Sequence, residues 1–174
     1  AIIGAFDATG SNLGPAWAFT DTLYGEPKYY GDVSSHELGH TFTLGHDGTS
    51  GAAYYAGHDD WSPIMGSTAW RPIVQWSKGE YDDANRQEDD LSLIAANGVD
   101  LKPDDHGNTL ATGTPITPAT PVKGLINTSA DIDQFTFDGS GPFTASLSLW
   151  DEHPNLDARL RLLNSAGSQV AASD

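Results

Sequence analysis

The order of apolar and polar positions divides this chain into segments of different character. Two short apolar and aromatic runs, AIIGAF (1–6) and PAWAFT (15–20), are separated by Asp, Gly, Ser, Asn and Pro, which predicts two strands. Residues 22–31, with two glycines and three tyrosines, read as a loop. Val33, His36, Glu37, His40 and Leu44 then recur at a helical spacing that predicts a helix from Asp32 to Thr43 with Asp32 as its N-cap. From Gly45 to about Tyr81 periodicity is weak and Gly, Trp and Tyr are frequent. A segment of that length reads as a long ordered loop, and such loops are usually functional. Asn85–Ala96 predicts a second helix, with Asn85 and Glu88 as a capping box and Asn97–Gly98 as its stop.

The pattern changes after Gly98. Residues 103–124 hold four Pro, five Thr and three Gly, as in a linker or the lead-in to a β domain. Alternating runs follow at 121–127, 131–137, 142–150, 156–164 and 168–173, divided by turn signals such as Asp138–Gly139 and Ala166–Gly167. Short strands at this spacing predict a sandwich. The expected organisation is α+β: a first domain over 1–98, a linker over 99–123, and a β domain over 124–174 that starts as early as 104.

Charge narrows the function classes. The net charge is −16, spread over both halves, and such a surface repels phosphate backbones and anionic membranes. Nucleic acid is therefore not expected as a partner. No apolar run approaches the 18 residues of a membrane span. Cysteine is absent, so any metal site must be built from histidines and carboxylates. The chain opens on what reads as a strand, stops at VAASD and shows no signal peptide, so both ends are expected to be cut.

The densest chemistry lies in SSHELGHTFTLGHDG (34–48). His36 and His40 are four apart, so on a helix both imidazoles leave one face and reach a common ion at about 2.0–2.1 Å. Glu37 lies to the side of the pair, where it can hold a water without ligating. His46 comes six residues after His40, past the helix, and completes three ligands if the chain turns back. Three protein ligands with an open position are the catalytic pattern for zinc, and one ion per chain is expected. His58 reads as a structural or cleft-wall residue, and His106 and His153 as surface residues.

HELGHTFTLGHD resembles the signature of the metzincin zinc endopeptidases, HExxHxxGxxH, at His36, Glu37, His40 and His46. Asp47 looks like the adamalysin-type branch, though a solvated turn residue is an equal reading. WSPIMGS (61–67) is similar to the family's Met-turn and implies Met65 beneath the metal. The resemblance implies hydrolysis of peptide bonds in proteins by a zinc-activated water, with Glu37 as general base. It also implies part of a metzincin catalytic domain, truncated at the N-terminus. Ile2, Ile3, Gly4, Ala5 and Phe6 would form the edge strand that pairs with an extended peptide substrate. Thr43 stands where the signature has Gly. Either Thr43 adopts a left-handed conformation, the favoured expectation, or the helix runs on and Gly45 makes the turn.

From about Asp104 the chain resembles the bacterial pre-peptidase C-terminal domain, a β-sandwich appended to secreted peptidases. DDHGNT (104–109), DIDQFTF (131–137) and residues 155–174 carry that resemblance. It implies a secreted protein and a partial sandwich. Asp104, Asp105, Asp131 and Asp133 could supply calcium ligands, although solvated turn carboxylates are the stronger reading. The rival function is a non-catalytic secreted binding or adhesion protein with a vestigial zinc site, against which the intact Glu37 argues.

Overall fold

The computed structural model describes residues 25–68, 71–151 and 154–174. The strands expected at 1–6 and 15–20, including the substrate-lining residues Ile2–Phe6, lie outside that range, as does His153. The chain separates into two compact units. One comprises Ala1–Asp100 and Leu149–Asp157, the other Leu101–Ser148 and Ala158–Asp174.

In the first unit, helix α1 covers Pro27–Thr41, starting five residues before the expected N-cap. Pro27 sits at the first turn, where its fixed φ suits a helix and its missing N–H costs nothing. Asp32 is therefore inside the helix, paired with Lys28 one turn back at 2.7 Å. The expected loop at 22–31 is corrected accordingly. Strands β1 (Trp61–Pro63) and β2 (Ile73–Gln75) pair in parallel, Ser62 opposite Val74, inside what was expected to be irregular loop. Three-residue strands are too short to leave a period in the sequence. The amide of Asn155 extends this sheet as a peptide group would, its Oδ1 accepting from Val74 N–H at 2.6 Å.

Helix α2 is Asp90–Ala96, five residues shorter at its start than expected. Asp89 is its N-cap, accepting from Ser92 N–H at 3.2 Å. The expected capping box does not form, because Asn85 accepts instead from Gly48 N–H at 2.8 Å. Gly98 closes the helix at φ +87°, where the stop signal placed it. Phe42, Leu44, Ile64, Met65, Val74 and Ile94 form the core, with Trp76 and Leu93 packed against it.

The second unit pairs β3 (Thr114–Pro115) with β4 (Phe135–Thr136) in parallel, and β5 (Leu160–Leu163) with β6 (Gln169–Ser173) antiparallel. The runs at 121–127 and 142–150 are not strands, and the described residues form two-stranded sheets rather than a sandwich. Alternation identifies a chain that can offer one apolar face, but pairing needs a partner that covers it, and Val122, Leu125, Ile132 and Leu147 are exposed. The mixed α+β character of the whole holds.

Candidate metal centre

The centre is assembled from the end of α1, the turn that follows, and the Pro63–Gly66 turn. At the helix end, Leu44 N–H reaches Gly39 O at 3.2 Å and Thr43 N–H reaches His40 O at 3.1 Å. These two bonds define a Schellman closure with Thr43 in the left-handed position. Its φ is +76°, while Gly45 has no positive φ. The turn is thus made at Thr43, as expected, and Leu44 is driven into the core with no exposed surface.

Gly45 serves a different need. A Cβ there would collide with the guanidinium of Arg86, which itself bonds Glu88 at 2.6 Å. Gly39 lets the core approach in the same way, since a Cβ would strike the Met65 sulfur and the Trp76 ring. Met65 is fully buried beneath the helix.

Both helix histidines are oriented by backbone carbonyls. His36 Nδ1 lies 2.7 Å from Ile64 O, and His40 Nδ1 lies 2.9 Å from Leu44 O. A carbonyl only accepts, so each Nδ1 carries the hydrogen and each neutral ring offers Nε2 as its lone pair. His46 Nε2 lies 3.1 Å from His40 Nε2. Two nitrogens bound tetrahedrally to one zinc at about 2.0–2.1 Å would stand about 3.3 Å apart. The ligand atoms of His36, His40 and His46 all lie within 4.8 Å of one another. The donor set therefore fits a cation with a preference for imidazole nitrogen. Burial lowers the pKa of both His36 and His46, and the neighbouring histidines lower them further. Both effects favour the neutral, ligating form.

The turn and Asp47 lock this geometry. Pro63 O accepts from Gly66 N–H at 3.0 Å, and Met65 O accepts from Asp47 N–H at 2.9 Å. Asp47 is not a solvated turn residue: only 3% of it is exposed. Its carboxylate takes a hydrogen bond from the Ser77 hydroxyl, and burial pushes its pKa up to about 6. Ser77 N–H also donates to Asp90 Oδ2 at 2.9 Å, and burial raises Asp90 to about 7.

No family model, curated protein or solved structure matches the chain. Glu37 is half-buried on α1 beside the ligands. His58 stands apart from the cluster, its Nδ1 3.0 Å from the Tyr55 hydroxyl. Sequence reasoning missed Tyr54, whose ring centroid is 4.2 Å from that of His46 and 6.2 Å from that of His36. Only its membership of an aromatic, Gly-rich loop hinted at it.

In the second unit, carboxylate oxygens of Asp104, Asp131 and Asp133 converge within 4.8 Å. One buried oxygen of Asp131 and one of Asp133 have no hydrogen-bond partner. Asp105 and His106 bring ligand atoms within 4.8 Å of Asp133 as well, and Asp105 Oδ1 accepts from Leu125 N–H at 3.1 Å. His106 is not the surface residue expected. Its Nε2 is 2.7 Å from Lys123 O, its Nδ1 is 2.9 Å from Thr114 Oγ1, and its ring packs on Phe135.

Proposed function

We propose that the protein is a secreted zinc endopeptidase of metzincin type that hydrolyses peptide bonds in protein substrates. The supporting observation is the convergence of His36, His40 and His46, two of them held by carbonyls at Nδ1, with His40 Nε2 facing His46 Nε2. Three neutral imidazoles suit zinc, and three protein ligands leave a position open to water or substrate. A zinc ion bound there supplies Lewis acidity towards a carbonyl and lowers the pKa of water. Glu37, next to the first ligand, takes a proton from the attacking water and returns it to the leaving amine. Met65 and Asp47 hold the ligands from behind. The buried, unpartnered oxygens of Asp131 and Asp133 favour the calcium alternative over solvated turn carboxylates at those two residues.

Among the described residues no helix is long and apolar enough to cross a membrane, and the net charge of −16 disfavours nucleic acid. The partner proposed is a protein or peptide substrate. Elemental analysis tests the ligand set: one zinc per chain is expected, and His46→Ala should lose most of it. Equal zinc in that variant would refute the assignment. A zinc-loaded protein that cleaves no protein substrate would instead favour the binding-protein reading.

A further inference from the structure

The loop after His46 places one aromatic ring beside the histidine cluster. Its backbone is clamped on both sides of that ring. Thr49 N–H donates to Ala52 O at 2.8 Å and pairs across to Ala84, while Tyr55 N–H donates to Asp47 O at 2.7 Å. Tyr55 is held further by its ring, stacked on Tyr81 at 3.9 Å with an angle of 5°, and by its carbonyl, which accepts from Ser67 N–H at 2.8 Å. With Tyr55 fixed inward, its neighbour Tyr54 is turned to the opposite side. There its ring lies against both His46 and His36, yet 46% of the residue remains exposed. Apart from the histidine rings themselves, Tyr54 is the aromatic ring against His36 and His46 among the described residues.

A large apolar face that packs on His46, lies near His36 and still meets solvent serves more than ligand support, which Ile64 O and Leu44 O already supply to His36 and His40. We propose that Tyr54 determines specificity: its exposed ring is the wall on which the substrate side chain next to the scissile bond packs, selecting aromatic over small side chains. Resting on the peptidase reading, this assigns a substrate class to the same site. The ring acts by stacking, so the hydroxyl is dispensable, and an aromatic pair contributes about a three- to tenfold preference beyond simple burial.

The test is calorimetric binding of two dipeptide hydroxamates to the zinc-loaded protein, one with a benzyl and one with a methyl side chain beside the hydroxamate. Wild type and Tyr54→Phe should both prefer the benzyl ligand, while Tyr54→Ala should lose about three- to tenfold of that preference with its zinc content unchanged. Tyr54→Leu, which keeps an apolar side chain against His46, reads the same ratio should the alanine variant lose zinc. Equal binding of the two ligands by wild type, or a preference surviving in Tyr54→Leu and Tyr54→Ala, would overturn the proposal. So would loss of the preference in Tyr54→Phe. Peptide hydrolysis is followed separately. A wild type that prefers the benzyl ligand but cleaves no peptide removes the peptidase reading and leaves the role of Tyr54 standing.

Discussion

Thr43 carries a backbone conformation that a β-branched residue rarely takes, at φ +76°. A left-handed conformation costs about 1–2 kcal/mol when a Cβ is present. It persists because neighbours fix it from both sides: Leu44 is buried in the core, and Leu44 O orients His40. Thr43→Gly should relieve the strain, less what glycine costs in unfolded-chain entropy, for a net gain of about 1 kcal/mol with zinc retained. Denaturant unfolding and elemental analysis check both halves of that outcome; a loss of stability would contradict it. Asp90 offers a second test. A carboxyl whose folded pKa is raised from 3.8 to about 7 stabilises fully below 3.8, and that stability is lost as pH rises through about 7. Asp90→Asn keeps an acceptor for Ser77 N–H and removes the charge. It should gain at least about 1.4 kcal/mol relative to wild type between pH 5 and pH 8, measured as the difference in unfolding free energy.

The two helices end in the same closure with different residues. At α2, Gly98 N–H reaches Ala95 O and Val99 N–H reaches Ile94 O, with glycine in the left-handed position; at α1 that position is Thr43. Gly39 and Gly45, either side of that closure, are placed for close approach instead. Gly39→Ala pushes a methyl group into Met65 and Trp76, so it should destabilise by about 1–3 kcal/mol and loosen the histidine pair, lowering zinc affinity. Thermal unfolding and a zinc titration measure this, and a neutral substitution would show that Met65 does not press on the helix. The histidine spacing made the end of α1, to within two residues, and the clustering of His36, His40 and His46 legible, because a 3.6-residue period and a fixed ligand geometry leave little choice. The start of α1 was not legible, since its apolar pattern is weak and only Gly39 and His40 are buried in it. α2 was overextended because Asn85 meets a tertiary partner, Gly48, that no local pattern reveals. Tyr54 was missed for the same reason: its place beside His46 depends on Tyr55 stacking on Tyr81, a contact between distant segments.

Across the molecule, the clustered histidines tie stability and the proposed metal binding to pH. The depressed pKa values of His36 and His46 stabilise the metal-free fold above the ordinary 6.5, and that contribution is lost as pH falls through the lowered values. Zinc should leave over the same descent, because protonated imidazole does not ligate, and dialysis followed by elemental analysis at stepped pH would show it. Zinc content that stays constant below the histidine range would point to ligands other than these three. The central claim joins the histidine centre to Glu37 as its base. The most direct measurement is the rate of peptide hydrolysis by zinc-loaded Glu37→Gln against wild type at matched zinc content. The side chain keeps its shape and loses its basicity, so the rate should fall by about 10²–10⁴ while zinc remains bound. Unchanged turnover would contradict the assignment.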